Sequence, residues 1–324
     1  MGARDRFRRN DKKMSEAVDI SVGFAGVRLA NPVFTASGTC GYADELAEFM
    51  DVKCLGGFIT KSITLKPRKG HPTPRIVETD AGMLNAIGLA NIGLDKFIEE
   101  KLPIIREMSI PVFVNVAGET IEEYAAIVER LATEQGIVGF EINVSCPNVA
   151  KGGITFGIDP VQVSEVTSAV KKVTGEKVLM VKLPPAVTDI SVIARAAIDA
   201  GANALSLINT FTAMVIDIET RRPVLANRTG GLSGPAIKPI AVYLVNKVYK
   251  EVAKERGIPI LGMGGIRTAS DAIEFIIAGA SAVAVGTATF IEPGCAAKTI
   301  EGIKQYCVRH NIASIKEVVG SITG

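Results

Sequence analysis

The chain has 324 residues, 48% hydrophobic and 22% charged, with 36 Lys plus Arg against 34 Asp plus Glu and a formal net charge of +2. That balance excludes a strongly basic nucleic-acid binder and an acidic disordered chain, and the length supports a large buried core. Cys40, Cys54, Cys146, Cys295 and Cys307 show no C-x-x-C spacing, and only two histidines accompany them. A zinc or iron–sulfur site held by this chain alone is therefore not expected, and scattered thiols fit a reducing cytoplasm.

Residues 1–17 carry Arg4, Arg6, Arg8, Arg9, Lys12 and Lys13 with no apolar stretch behind them. They read as a disordered basic leader, with Met14 as a second candidate start, rather than as a secretory signal. Residues 18–324 read as one domain. No apolar run in them reaches membrane-spanning length.

From residue 30 onward, eight short apolar runs recur: Val33–Ala36, Gly57–Thr60, Val112–Val116, Phe140–Val144, Val178–Leu183, Ala204–Ile208, Ile258–Met263 and Ala282–Val285. Helical patterns lie between most of them, over Thr120–Glu134, Pro160–Val173, Ser191–Ala200, Ile237–Arg256 and Ala269–Ala278. Eight strands alternating with helices predict an α/β fold, a (β/α)8 TIM barrel. A doubly wound sheet is the alternative, but it would carry its Gly-rich phosphate loop after the first strand. Here the Gly-rich turns follow the last two strands.

In such barrels the chemistry gathers at the C-terminal ends of the strands. Polar residues recur there: Ser37, Lys61-Ser62, Asn115, Asn143 with Cys146 and Asn148, Lys182, and Asn209-Thr210. Gly262-Met263-Gly264-Gly265 and Gly286-Thr287 supply turns whose backbone N–H groups can converge on a phosphate. Gly230 to Gly234 forms a third glycine-rich segment. Cys146, set between two Asn amides at a strand end, suits proton transfer on a flat polar substrate. Lys182 lies within an apolar strand. It reads either as a Schiff-base nucleophile or as a cation beside a cofactor ring such as a flavin.

Lys61-Ser62, Pro74-Arg75, Gly82-Met83-Leu84-Asn85-Ala86-Ile87-Gly88-Leu89, Asn143-Val144-Ser145-Cys146-Pro147-Asn148, Gly230 to Pro239 and Gly262 to Ile266 together resemble the class 1 dihydroorotate dehydrogenases. The resemblance spans about residues 18 to 320. Val149 to Gly153 and Gly234 to Pro239 favour the class 1B catalytic subunit. It implies an FMN-binding barrel that oxidises dihydroorotate to orotate in pyrimidine biosynthesis. It further implies a partner subunit carrying FAD and a [2Fe-2S] cluster that passes electrons to NAD, in a cytoplasmic heterotetramer around a homodimer core.

Under this resemblance Cys146 is the catalytic base. Lys61, Asn85, Ala86, Ile87, Gly88, Leu89, Asn143, Asn209 and Thr210 contact the substrate. Ser37, Lys61, Ser62, Asn115, Asn143, Lys182, Ile208, Gly234, Gly264, Gly265, Gly286 and Thr287 contact FMN. Two departures stand out: Pro184-Pro185-Ala186 where Ser/Thr-Pro-Asn is usual, and Ala213 where Gly is common before Met214. The alternatives are a fumarate-linked class 1A enzyme, a flavin-free Lys182 Schiff-base lyase, and a non-catalytic barrel that binds a phosphorylated ligand.

Overall fold

The structure, a computed structural model, describes residues 18–145, 147–148 and 154–323, with 147–148 and 154–155 by their backbone. The basic leader at 1–17 and Cys146 lie outside the described residues. Eight parallel strands close into a barrel. In chain order they are β1 (Val33–Thr35), β2 (Gly57–Ile59), β3 (Val112–Val116), β4 (Gly139–Asn143), β5 (Val178–Lys182), β6 (Ala204–Leu207), β7 (Ile260–Met263) and β8 (Ala282–Val285). Each pairs with its sequence neighbours, and β8 pairs with β1.

Every residue of these strands is buried except Asn143, which is half-buried. The reason is the layering. One strand face packs on helices and the other fills the barrel, so the strands read as continuous apolar runs rather than alternating ones. Phe24, Phe34 and Phe113 stack with ring centroids 5.8 to 6.2 Å apart, packing the N-terminal hairpin (Val22–Phe24 with Val27–Leu29) against β1 and β3.

The outer layer holds the five predicted helices: Ile121–Ala132, Pro160–Val173, Ile190–Asp199, a helix opening at Lys238–Val248 and continuing to Arg256, and Ala269–Ala278. Thr120, Asp159 and Asp189 cap the first three by accepting from backbone amides of the first turn, and Thr268 with Asp271 forms a capping box on the last. Among the described residues, Asp44–Ala47 and residues 94–106 are helical beyond those five, and the C-terminal region holds the helix Cys295–Arg309. Pro103 hides the second of these from a periodicity reading, because it removes an N–H; a π-helical stretch, Phe97–Lys101, precedes it.

The segments after β2 and β6 are more than loops. Ile76–Thr79, Gly82–Asn85, Gly230–Ser233 and Phe211–Ala213 form a four-stranded antiparallel sheet. Its residues and those at the C-terminal ends of the barrel strands line one shared cavity. No helix among the described residues is long and apolar enough to cross a membrane.

Candidate active site

The cavity between barrel and sheet measures about 1050 Å³. Small-molecule pockets run to ~300–1,000 Å³. This one therefore has room for a cofactor and a substrate together.

Its floor is polar and continuous. Lys182 Nζ donates to Ser37 Oγ at 3.0 Å and lies 3.9 Å from Glu141 Oε2. Asn115 Nδ2 donates to the same Glu141 oxygen at 2.5 Å, and Ser62 Oγ donates to Asn115 Oδ1 at 2.5 Å. Ser37 and Ser62 follow β1 and β2, while Asn115, Glu141 and Lys182 sit on β3, β4 and β5. The network thus crosses five consecutive strands. Lys182 is 5% exposed and points into the barrel, which rules out an outward-snorkelling lysine.

A second cluster forms at the ends of β4 and β6. Asn209 Nδ2 donates to Asn143 Oδ1 at 3.2 Å and to Ser145 Oγ at 2.8 Å. Ser145 N also donates to Asn143 Oδ1 at 3.2 Å, and Tyr124 OH donates to the Asn143 carbonyl at 2.7 Å. These bonds fix both amides in one orientation. The backbone beyond Ser145 continues as a short ribbon, Pro147–Asn148 against Ile154–Thr155.

Lys61, at the end of β2, supplies a further cation. Burial pushes its ammonium below the usual lysine range; Glu45 opposes this and Arg75 adds to it. A half-buried, partly desolvated cation at a cavity wall favours an anion.

The turn after β7 is built from backbone alone. Gly264 and Gly265 hold φ of 131° and 81°, and a Cβ on Gly265 would fall 2.7 Å from the Gly234 carbonyl oxygen and 2.9 Å from Lys238 Cβ. A Cβ on Gly264 would fall 2.8 Å from Ala241 Cβ. Only glycine fits this close approach. Across it, Thr287 Oγ1 donates to Ser233 Oγ at 2.7 Å, tying the turn after β8 to the covering sheet.

The structure thus brings Ser37, Lys61, Ser62, Asn85, Ala86, Ile87, Gly88, Leu89, Asn143, Lys182, Ile208, Asn209, Thr210, Gly234, Gly264, Gly265, Gly286 and Thr287 to one cavity. Asn115 sits beneath its floor, fully buried, and is linked to the cavity through Ser62 on one side and through Glu141 and Lys182 on the other. Cys146 lies outside the described residues, directly after Ser145. Sequence reasoning missed Glu141, Ser145 and Tyr124. Glu141 could have been found by period: it lies two residues before Asn143 on the same strand and so shares its inward face. Pro184 and Pro185, one of the two departures, are buried; a Cβ on Gly157 would meet the Pro184 ring at 2.8 Å. They pack the wall behind the site rather than line it. Ala213, the other departure, pairs with Gly230 in the covering sheet.

Comparison with known proteins agrees with this fold. The dihydroorotate dehydrogenase family model matches residues 19–306. The catalytic subunit of dihydroorotate dehydrogenase B (NAD(+)) from Citrifermentans bemidjiense is 53% identical over 304 residues, covering 94% of this chain and 98% of that protein. The subunit of the same name from a Thermoanaerobacter species is 52% identical over 305 residues, covering 94% and 99%. Among solved structures, a dihydroorotate dehydrogenase from Eimeria tenella in complex with ferulenol superposes with a TM-score of 0.76 at 26% identity, covering 94% of this chain and 88% of that one. The chain belongs to the dihydroorotate dehydrogenase family, and the relatives it matches at half identity are catalytic subunits of the NAD-linked B type.

Proposed function

We infer that this chain oxidises dihydroorotate to orotate in pyrimidine biosynthesis as the catalytic subunit of an NAD-linked enzyme. The observation that carries this is half identity to such subunits over nearly their whole length, combined with a polar cavity at the C-terminal mouth of the barrel.

The residues present fit FMN. The glycine turn at 264–265 admits a backbone-only approach suited to a phosphate, and Lys182 with Ser37 offers a cation and hydroxyl on the opposite floor. FMN, when bound, supplies the hydride acceptor. The chain's own residues do the rest. Lys61 holds the substrate carboxylate, a charge-assisted contact. Asn85, Asn143 and Asn209 meet the amide edges of the pyrimidine, with Asn143 and Asn209 pre-oriented by each other and by Ser145. Cys146 takes the proton from C5. Lys182 holds positive charge at the cavity floor, where it would stabilise negative charge on a bound flavin.

Electrons leave through a separate subunit carrying FAD and a [2Fe-2S] cluster, in a cytoplasmic assembly of two catalytic and two electron-transfer subunits. The relatives' naming as catalytic subunits supports the partner. The test is dye-linked turnover. The purified yellow chain should form orotate from dihydroorotate with an artificial acceptor, and Lys61→Met should raise KM far more than it lowers kcat. A protein that holds FMN but makes no orotate refutes the reading.

A further inference from the structure

Beneath the cavity floor sits a carboxylate that no step above uses. Glu141 is fully buried, and its Oε1 has no hydrogen-bond partner among the described residues. Its Oε2 accepts from Asn115 and lies 3.9 Å from Lys182 Nζ, its one ion-pair partner among those residues. Asn115 in turn accepts from Ser62, and Lys182 donates to Ser37. Both ends of the chain reach the cavity, and Glu141 is its middle.

An unpaired buried carboxylate is costly, and a side chain there that served packing alone would be apolar. Glutamine in its place could still accept from Asn115. What glutamate adds is a negative charge one layer below the ammonium.

We propose that Glu141 is a positioning residue, the ionised counter-charge of Lys182, which holds that ammonium at the cavity floor and sets the electrostatic field the chain presents to the bound flavin. The proposal rests on the FMN reading of the cavity. A bare Lys182 would favour the anionic reduced ring more strongly than a Lys182–Glu141 pair does. Glu141 therefore lowers the reduction potential of the bound cofactor.

The test uses Glu141→Gln and Lys182→Met, singly and together. At a fixed potential set by a reference dye, FMN-loaded Glu141→Gln should show a reduced-to-oxidised ratio about tenfold above the parent, which for a two-electron couple is ~30 mV. In the Lys182→Met background the same change should shift the ratio by a clearly different amount, because the carboxylate then has no ammonium to offset.

Infrared difference spectra of FMN-free protein read the pair directly. Parent minus Glu141→Gln should show an ionised carboxylate. Three results overturn the proposal: an unchanged ratio in folded, FMN-loaded Glu141→Gln; the same shift in both backgrounds, which marks a structural role; or a protonated Glu141 in the parent. If no FMN binds, the cofactor reading fails, and the infrared spectra alone decide the pair.

Discussion

Gly265→Ala perturbs the proposed phosphate end of the site with a single methyl group. The residue holds φ of 81°, and the new Cβ would fall 2.7 Å from the Gly234 carbonyl oxygen and 2.9 Å from Lys238 Cβ. Neither neighbour yields easily. Gly234 O is backbone, and Lys238 is tethered by Nζ bonds of 2.7 Å to both Asp271 and Glu274. The turn must retreat by about 0.7 Å to restore ordinary contact near 3.4 Å. A hydrogen bond to a charged group contributes ~1.5–3 kcal/mol. Losing one should therefore raise the FMN dissociation constant by roughly 10- to 150-fold, at about 1.4 kcal/mol per decade. Left-handed backbone at a non-glycine residue adds ~1–2 kcal/mol of destabilisation. Gly175→Ala isolates that part, since its φ is 62° but nothing lies within 4 Å of the added Cβ. Fluorescence titration of apoprotein with FMN, alongside thermal melts, measures both effects. Gly175→Ala should lose a little stability and no FMN affinity. Parental FMN affinity in Gly265→Ala would refute the phosphate assignment.

Three further outcomes follow from the site. Cys146→Ala should keep FMN and orotate binding but slow flavin reduction by dihydroorotate ~10²–10⁴-fold, and Cys146→Ser should recover part of the rate only at high pH; a parental rate in the alanine variant removes Cys146 as the base. Because burial lowers the Lys61 ammonium, orotate affinity should hold at neutral pH and fall as pH rises through a midpoint below the usual lysine value of 10.5. The protonated form binds the anion, so affinity is present below that midpoint and lost above it; Lys61→Met should bind ~10–100-fold more weakly with no such step, and a pH-independent parent would contradict the assignment. The chain alone should reduce dyes but not NAD, and NAD reduction should return on adding an electron-transfer subunit; efficient NAD reduction by the isolated chain would exclude the partner.

The barrel was legible because each strand is a mainly apolar run that ends near a polar residue or a glycine, and burial on both faces favours that pattern. Lys61, Asn143, Lys182 and Asn209 could be placed at strand ends for the same reason. The covering sheet was not legible. Its strands, Gly82–Asn85 and Gly230–Ser233 among them, are glycine-rich and half-buried, and their pairing joins segments almost 150 residues apart. No local period encodes such a register. Glu141 escaped notice because a charged residue inside an apolar strand reads as a solvent-facing exception until the register sets it opposite Asn115 and the ion pair sets it beside Lys182.

The measurement closest to the central claim is a single anaerobic turnover. Purified chain carrying FMN is mixed with excess dihydroorotate, and the flavin and orotate absorbances are followed together. The cavity predicts bleaching of the flavin with one orotate formed per FMN, and bleaching slowed ~10²–10⁴-fold in Cys146→Ala despite retained orotate binding. A flavin that stays oxidised in the presence of dihydroorotate, or bleaching without orotate, would contradict it.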